Sequence, residues 1–340
     1  MKKITLQAIA DHFGISKVAV HKALTEQKGV SDALRKKIQD YAKMIGYKTK
    51  IQIKEMRNKR FLFFVNQDFF LTLSEQYYST IFYFLSAECN KSNNLLQIAY
   101  LEHEATLEKV KAAISMYKPD GIFFAGEIRE DIMHYIDRIT IPTIFIDYFS
   151  PLYDFNFVYV DNYHLSYQLT KYLIDQGHKK IGFVGNIHKT SAIADRYFGF
   201  YKAMVENELP VHPEWHINVN IEKRNDMTDL SIKNYPTAFL CHCDAAARWL
   251  YTALATKNLS VPKDISIISF DNTPLCDTLI PKLTSAGPKK ETYAKRAFSL
   301  MMNALSSSGK PQQIKINAEL IERDSIMKND SSISSFNQKS

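Results

Sequence analysis

The sequence lacks the features that would place it in or across a membrane. No apolar run approaches the roughly 18 residues that a spanning helix needs. Asp11 and His12 interrupt the N-terminal stretch, so it does not resemble a signal peptide. Cysteine is scarce, with four residues in 340, and such thiols are most simply free in a reducing compartment. We therefore expect a cytoplasmic protein with no membrane partner.

Signatures of catalysis and of cofactor binding are also missing. The triplet Cys241-His242-Cys243 has no second ligand pair at zinc-finger spacing, which argues against a metal site. The run Gly182–Gly185 lacks the full glycine spacing of a dinucleotide-binding loop. No nucleophile-and-base pair is visible either. We expect a binding protein that is not an enzyme and that needs no cofactor.

What the sequence does have is an uneven distribution of charge. Residues 1–60 hold 15 Lys and Arg against 5 Asp and Glu, whereas the remaining residues hold 28 against 31. A basic N-terminal part on a nearly neutral body is typical of a protein that meets nucleic acid at one end. Apolar residues make up 46% of the chain, and 340 residues are enough for two or three domains with cores of their own.

The basic part begins with the pattern of two short helices. Leu6, Ile9, Ala10 and Phe13 recur at helical spacing after Thr5, which can cap the first helix, and Gly14 suits the left-handed position that ends it. Ser16 can cap a second helix, whose inward residues are Val20, Ala23 and Leu24. Two short helices joined by such a turn predict a helix-turn-helix.

In a helix-turn-helix, the second helix enters the major groove of DNA. Lysines there can donate to guanine or to phosphate, a valine can contact a thymine methyl group, and a serine hydroxyl suits phosphate. The alternative is an ordinary helical hairpin with a solvated basic face. The candidate DNA-contacting residues of the headpiece are Thr5, Ser16, Lys17, Val18, His21 and Lys22.

A third helix favours the DNA-binding interpretation. Ser31 can cap a run in which Leu34, Ile38, Tyr41 and Ile45 repeat at a spacing of three to four residues. The segments ITLQAIADHFGISKVAVHKALT and GVSDALRKKIQDYAKMIGY resemble the headpiece of the lactose/galactose repressor (LacI/GalR) family of bacterial transcription factors. The family's usual Thr-Val-Ser-Arg run is replaced here by Ala19–Lys22. The resemblance therefore implies the fold and double-stranded operator DNA as partner, but not the operator sequence.

A lysine- and arginine-rich segment, residues 48–60, follows the headpiece. It has no core face of its own, so it is a linker or a segment that folds on DNA. In the family this position carries a hinge helix that wedges an apolar side chain into the minor groove. By that resemblance Met56 is a candidate wedge. A flexible basic tether to phosphate is the alternative.

Beyond residue 60, short apolar runs alternate with amphipathic segments. This alternation predicts an α/β fold of doubly wound parallel sheets, and about ten strands favour two lobes. The predicted strands are Phe61–Val65, Leu95–Tyr100, Gly121–Ala125, Thr143–Ile146, Val158–Val160, Ile181–Val184, Ile217–Ile221, Ala238–Cys241 and Ile265–Phe270. The predicted helices are Tyr77–Asn90, Leu107–Tyr117, Tyr163–Gln176, Tyr197–Glu206 and Ala245–Lys257.

The resemblance to the family extends over nearly the whole chain. It continues through LIDQGHKKIGFVG (Leu173–Gly185), DRYFGF (Asp195–Phe200), VPKDISIISFDN (Val261–Asn272), Leu283–Ser285 and Leu320–Ser325. It implies a periplasmic-binding-protein-like core that senses a ligand and forms a homodimer. The expected divisions are a headpiece at 1–47, a linker at 48–60, a core at 61–327 and a disordered tail at 328–340. Within the core, lobe 1 is expected at about 61–160 and 286–315, and lobe 2 at about 161–285 and 316–327, with a last strand near Ile314–Ile321.

Polar residues follow several of the predicted strands, at the edge where open α/β sheets bind ligands. Together they can accept from and donate to the vicinal hydroxyl groups of a sugar, although each residue alone is as easily a turn former or a helix cap. The family's effector-binding Arg and Asp residues fall at Arg196, Asp271 and Asp147. The candidate effector-binding residues are Asp147, Arg196, Asp244, Asp271 and Asn272, and the aromatics Phe69, Phe70, Tyr148 and Phe149 are candidates for stacking on a sugar.

These observations predict a transcriptional repressor whose affinity for its operator is controlled by a small effector such as a sugar. Two alternatives remain open. In the first, the same DNA-binding protein responds to a protein co-effector, as some members of the family do. In the second, from another class, the chain is a solute receptor, although the basic first 60 residues argue against it.

Overall fold

A computed structural model describes residues 5–45, 47, 58–67, 70, 76–101, 107–219, 230, 232, 234–306 and 309–329. The chain divides into two compact units, Met1–Asn58 and Lys59–Ser340. Among the described residues, no helix is both long enough and apolar enough to cross a bilayer. Most of the predicted linker, including the candidate wedge Met56, lies outside the described residues, as does Phe69.

The first unit contains the three predicted helices: α1 (Leu6–Phe13), α2 (Lys17–Leu24) and α3 (Asp32–Met44). The Thr5 hydroxyl accepts a hydrogen bond from the Ala8 amide at 3.3 Å, and Gly14 ends α1 in the left-handed region at φ 64°. The Ser16 hydroxyl accepts from the Ala19 amide at 3.2 Å. Local capping chemistry therefore sets the tight turn between α1 and α2.

A small apolar core joins the three helices. Its fully buried members come from all three, and they are Ile9, Ala10, Val20, Ala23, Ile38 and Ala42. Their helical spacing turns one face of each helix inward, so the opposite faces are left to solvent. The outward face of α2 is the surface that the sequence predicts to meet DNA.

The second unit alternates strands and helices. Its strands are β1 (Arg60–Asn66), β2 (Leu95–Leu101), β3 (Gly121–Ala125), β4 (Thr143–Ile146), β5 (Asn156–Tyr159), β6 (Ile181–Val184), β7 (His216–Ile217), β8 (Ala238–Cys241), β9 (Ser266–Phe270), β10 (Thr284–Pro288), β11 (Gln313–Lys315) and β12 (Ala318–Ile321). Its helices are α4 (Tyr77–Lys91), α5 (Leu107–Tyr117), α6 (Glu130–Ile136), α7 (Asn162–Asp175), α8 (Ser191–Glu206), α9 (Asp244–Thr256), α10 (Leu275–Thr278) and α11 (Lys290–Ser306), with one 3-10 turn at Pro213–Trp215.

The strands form two six-stranded sheets, one in each lobe. The first has the order β11-β5-β4-β3-β1-β2 and is parallel throughout. Its strand β1 is buried at five consecutive positions, as a strand covered on both faces must be. The second has the order β12-β10-β9-β8-β6-β7 and is parallel except for β12, which runs antiparallel to β10. The predicted fold class is confirmed, with this one antiparallel strand added.

The chain passes between the two sheets three times, after β5, after β10 and after β11. The return to the first lobe comes slightly later than residue 286, because residues up to Pro288 pair with β9 or β12 in the second sheet. The single strand predicted near Ile314–Ile321 is in fact two strands, since β11 pairs with β5 and β12 pairs with β10. Both sheets therefore gain an edge strand from the last crossing.

The beginning of the predicted disordered tail is bound to the second lobe. The Asn329 amide donates to the Gln176 carbonyl at 2.8 Å, and the Asn329 side chain donates to the Gly177 carbonyl at 3.3 Å. Just before it, the Met327 carbonyl lies 3.1 Å from the His178 ring. Asn329 is therefore held against the second lobe by hydrogen bonds, although the sequence places it in the predicted disordered tail. Residues 330–340 lie outside the described range.

Helices α7 and α8 pack unusually closely, and a glycine makes this possible. A Cβ atom on Gly199 would lie 2.1 Å from the carbonyl oxygen of Tyr163 and 2.9 Å from the side chain of Ser166. The Ser166 hydroxyl in turn donates to the carbonyl of Arg196. This contact fixes the helix that carries Arg196 against the helix that begins at Asn162.

Gly199→Ala should therefore lower the free energy of unfolding by about 1–3 kcal/mol, because the added methyl group meets backbone that cannot move easily. Urea denaturation followed by circular dichroism measures this change. Lys202→Ala on the exposed face of the same helix is the control and should stay within about 0.5 kcal/mol of the parent. A Gly199→Ala protein as stable as the control would contradict the close approach.

Candidate functional site

The cavity that holds four of the five predicted effector-binding residues, called the main cavity below, lies between the two sheets of the second unit, at the carboxyl ends of their strands. Its volume is about 320 Å³, within the range of small-molecule sites. Residues that follow β3, β4, β8 and β9 line it, together with the first turns of α7 and α8. Parallel strands bring their carboxyl ends to the same edge, so both lobes contribute loop residues to this cleft.

Asp147 occupies the first-lobe wall of the cleft, directly after β4. Its carboxylate accepts hydrogen bonds from three tyrosine hydroxyls: Tyr77 at 3.2 Å, Tyr78 at 2.9 Å and Tyr293 at 3.2 Å. Burial raises the pKa of Asp147, while Arg196 and the three hydroxyls act in the opposite direction. The three donors hold the carboxylate in one position and favour its charged form.

Arg196 faces it from the second lobe, in the second turn of α8. Its Nε donates to Oδ1 of Asn162 at 2.8 Å, one Nη donates to the carbonyl of His242, and the other lies 3.3 Å from Oδ1 of Asp271. The guanidinium also lies 4.4 Å from the ring centre of Phe270. Only 10% of the side chain is exposed, so these partners replace most of the water that the cation would otherwise bind.

Asp271 follows β9 in a left-handed backbone conformation, at φ 96°. Gly287 on β10 allows its close approach, because a Cβ atom there would lie 2.5 Å from the Asp271 carbonyl oxygen. Lys290 of α11 donates to that same carbonyl and to the Asn272 carbonyl at 3.1 Å. Burial raises the pKa of Asp271 to about 6, although Arg196 acts to lower it. Strained backbone held by surrounding contacts is common at ligand sites.

Asp244 lies at the cleft but its oxygens are already used. They accept from the Ser269 hydroxyl at 2.5 Å, from the Thr273 amide at 2.7 Å and hydroxyl at 2.8 Å, and from the Ser285 hydroxyl at 2.6 Å. The residue is 1% exposed. The prediction that Asp244 contacts the effector finds no support in this geometry, because four internal donors saturate the carboxylate. Its hydrogen bonds to Thr273 hold the loop that follows β9.

The structure places Asn272 outside the main cavity. Its Oδ1 accepts from Arg323 at 3.0 Å, and its amide donates to the Ser285 hydroxyl at 3.0 Å. It lines a separate, shallow pocket together with Lys290 and Arg323. The side chain of Asn272 thus lies beside the cavity that Asp271 and Thr273 line, and its contact with an effector stays a prediction.

The triplet 241–243, considered above for metal binding, has other partners. Cys241 is buried in β8, and the His242 ring lies 3.1 Å from the Val184 carbonyl through Nδ1. Cys243 caps α9 by accepting from the Ala246 amide at 3.4 Å. Burial, followed by the nearby charge of Arg196, lowers the pKa of His242 to about 3, so this imidazole is neutral. Among the described residues, no cluster of His, Cys, Asp and Glu fits a metal ion.

The predicted aromatic residues divide between the cleft and the core. Tyr148 and Phe149 line the cavity, and Phe149 stacks on Tyr159 with ring centres 4.7 Å apart. Phe70 packs instead against Phe82 at 5.8 Å, within the first lobe. One side of the cleft thus offers aromatic surface, and the opposite side offers Arg196 and Asp271.

Sequence reasoning missed the three tyrosines around Asp147. Tyr77 and Tyr78 begin α4, and Tyr293 lies on α11, more than 200 residues further along the chain. The hydroxyl groups meet only because α4 and α11 pack side by side on the first sheet. The Tyr-Tyr pair at a predicted helix start was the one local signal available.

In the headpiece, four of the predicted DNA-contacting residues lie on α2, with Ser16 at its start and Thr5 at the start of α1. Lys17, Val18 and His21 are exposed, Val18 to 63%. Lys22 is half-buried, with Nζ about 3.5 Å from where a Cβ of Gly29 would lie. Thr5 and Ser16 act as helix caps, as described above. Contact of any of these residues with DNA stays a prediction.

Comparison with known sequences finds relatives along most of the chain. The family profile described as a periplasmic binding protein-like domain matches residues 170–326. The HTH-type transcriptional repressor PurR of Actinobacillus pleuropneumoniae is 25% identical over 339 residues, or 95% of this chain and 98% of the relative. PurR of Yersinia pestis (strain Pestoides F) is 30% identical over 247 residues, or 70% of each chain.

Solved structures show the same fold. The transcription regulator CcpA of Lactococcus lactis superimposes with a TM-score of 0.70 at 22% identity, over 79% of this chain and 100% of that one. The lac repressor dimer bound to operator and the anti-inducer ONPF superimposes with a TM-score of 0.67 at 16% identity, over 96% of this chain and 100% of that one.

A two-lobed binding core joined to a helix-turn-helix unit defines a ligand-regulated, DNA-binding transcriptional regulator, and the named relatives are repressors rather than enzymes. The chain belongs to the LacI/GalR family of bacterial transcriptional regulators.

Asp244→Asn tests the role of this carboxylate in holding the cleft wall. The NH2 group of Asn would replace one carboxylate oxygen and face either the two Thr273 donors or the Ser269 and Ser285 hydroxyls, so we expect a loss of about 2–3 kcal/mol in the free energy of unfolding. Chemical denaturation measures it, and Asp137→Asn at the exposed end of α6 is the matched control. If both variants change by the same few tenths of a kcal/mol, Asp244 does not organise this loop.

Proposed function

We propose that the regulatory ligand is an uncharged, hydroxyl-rich small molecule, a mono- or disaccharide, bound in the cleft between the two sheets. The observation that carries this proposal is the imbalance of charge around the cavity. Its lining includes six carboxylates, those of Glu127, Asp147, Asp161, Asp195, Asp244 and Asp271, against the two cations Lys189 and Arg196. A phosphorylated or carboxylated ligand would meet net repulsion there, whereas sugar hydroxyls can donate to carboxylates.

The roles of the individual residues follow from their positions. Arg196 and Asp271 form a buried pair on one wall, and Asp147, oriented by three tyrosines, faces them across the cavity. A hydroxyl group between them can donate to a carboxylate and accept from the guanidinium at the same time. Tyr148 and Phe149 offer apolar surface to the face of a sugar ring. In this scheme Asp244 positions the loop and does not touch the ligand.

The proposed regulation is a shift between two arrangements of the lobes. A ligand that binds the closed cleft better than the open one favours closure by the difference in its two affinities. In a homodimer, that change would alter the spacing of two headpieces on a two-fold operator. The protein would thus act as a repressor on chromosomal DNA in the cytoplasm, with no catalytic step.

A ligand screen tests the proposal. Purified protein is heated in the presence of neutral mono- and disaccharides, their phosphate esters, purine bases and carboxylic acids, and the melting temperature is recorded. A ligand present at 100 times its Kd stabilises the native state by about 2.7 kcal/mol, which gives a readable shift. Stabilisation by a purine or a phosphate ester, with no response to any neutral sugar, would overturn the proposal.

Arg196 should be essential for ligand binding but not for DNA binding. Arg196→Ala removes three hydrogen bonds in the cleft and leaves Asp271 buried without its partner. We expect the affinity for the best sugar from the screen, measured by calorimetry, to fall at least about 100-fold, the equivalent of roughly 2.7 kcal/mol. Arg196→Lys keeps the charge without the forked geometry and should also lose most of the affinity.

Operator binding by the Arg196 variants is the control for folding. It is measured on a duplex obtained by selection from random-sequence DNA, and it should match that of the parent protein. Retained sugar affinity in both variants would remove Arg196 from the proposed site.

Lys22 is proposed to contact DNA from α2. Lys22→Ala should weaken binding to the selected duplex by about 1–3 kcal/mol if the side chain reads a base. If it contacts only phosphate, binding should weaken on every sequence and depend less steeply on salt. Fluorescence anisotropy at several salt concentrations distinguishes the two cases. Lys118→Ala in the second unit is the control, and a Lys22→Ala protein that behaves like this control would exclude Lys22 from the interface.

A further inference from the structure

One pair of hydrogen bonds crosses the mouth of the cleft. Glu127 follows β3 in the first lobe, and Ser191 begins α8 in the second. One carboxylate oxygen of Glu127 accepts from the Ser191 amide at 2.6 Å and from the Ser191 hydroxyl at 2.8 Å. The two residues are 64 positions apart, so only the arrangement of the lobes brings them together.

The position that Glu127 occupies is the one where an anion would otherwise bind. The first amide groups of a helix have no partner within the helix, and the helix dipole adds positive potential there. In α8, Thr190 caps the Ile193 amide from within the lobe, whereas the Ser191 amide is satisfied from across the cleft. The first turn of the helix that carries Arg196 is thus already supplied with a carboxylate.

Two neighbouring charged residues, Asp195 and Lys189, also affect the electrostatic potential at the mouth of the cleft. Asp195 lies one helical turn beyond Ser191 and also lines the cavity, so a second negative charge faces the mouth. Lys189, which comes just before the cap, lines the cavity as well and would favour an anion if Glu127 were absent. Among these charged groups, Glu127 is the one that the structure shows in contact with the first turn of α8 from the opposite lobe.

We propose that Glu127 is a specificity-determining residue of the effector cleft: by occupying the first turn of α8 from the opposite lobe, its carboxylate selects for uncharged ligands and against phosphate-bearing ones. The contact joins the two lobes, so the same residue would also help to hold them together over a neutral ligand. This inference rests on the proposed function in that it names which ligands the same cleft excludes.

The test compares three variants with the parent protein. Glu127→Ala removes both the charge and the contact. Glu127→Gln removes the charge but keeps an oxygen that can accept from the Ser191 amide. Glu130→Ala removes a neighbouring exposed carboxylate that pairs with His134 within α6; it controls for the general change in charge. Inorganic phosphate is the first ligand used, with potassium chloride at equal ionic strength as reference.

The dissociation constant for phosphate is measured by calorimetry and checked by thermal shift. We expect Glu127→Ala to bind phosphate at least tenfold more tightly than the parent, Glu127→Gln to show a smaller gain, and Glu130→Ala to show none. Hydrogen exchange of the Ser191 amide should quicken in Glu127→Ala and change less in Glu127→Gln. Equal phosphate affinity in all four proteins, or an equal gain in Glu130→Ala, would overturn the proposal.

A second measurement separates this inference from the proposed function. The neutral sugars of the screen are tested on the same four proteins, and Glu127→Ala should lose affinity for the best of them while it gains affinity for its phosphate ester. If no neutral sugar binds the parent protein, the proposed function fails, yet the comparison with phosphate still decides the role of Glu127. If sugars bind but the preference for them over their phosphate esters is the same with and without Glu127, this inference alone fails.

Discussion

The cleft of this protein depends on how a buried guanidinium is neutralised. Arg196 is almost wholly removed from water, and an unpaired charge in such a place would be prohibitively costly. Its three donors reach Asn162 at the start of α7, the carbonyl after β8 and the carboxylate after β9. One side chain thereby ties three elements of the second lobe together. The cation therefore sets the geometry of this wall of the cleft before a ligand binds.

The wall of the cleft that belongs to the first lobe carries a carboxylate held by hydroxyl groups. Asp147 is held by tyrosine hydroxyls, which share its charge but cannot neutralise it. An ion pair on one wall and a hydroxyl-bound carboxylate on the other leave the cavity polar and slightly acidic. Such a surface offers several oxygen atoms that can accept hydrogen bonds from hydroxyl groups. The proposal of an uncharged, hydroxyl-rich effector rests on the chemistry of these two walls.

Local sequence signals were enough for the elements and for part of the cleft. Thr5, Gly14 and Ser16 predicted the ends of the headpiece helices because capping depends on neighbours within four residues. The buried strands were recognisable because a parallel sheet covered on both faces requires a nearly continuous apolar run. Arg196, Asp147 and Asp271 were found through the family resemblance and their positions at strand or helix ends.

The rest depends on contacts between distant parts of the chain. Asp244 and Asp271 both follow strands and are indistinguishable by sequence, yet one is saturated by internal donors and the other faces the cavity. Tyr293 reaches Asp147 only after the chain has crossed back to the first lobe. The partnership of Glu127 with α8 likewise needs both lobes in place. No local pattern could predict these pairs, because each joins elements that are remote in sequence.

The three passages of the chain between the two sheets have a mechanical consequence. A single tether would let one lobe swivel in any direction relative to the other. Three connections resist twisting and sliding of one lobe relative to the other. Hinge bending of the lobes about these connections is then the softest motion. Bending about this line changes the separation of the two cleft walls, which carry Asp147 in the first lobe and Arg196 in the second.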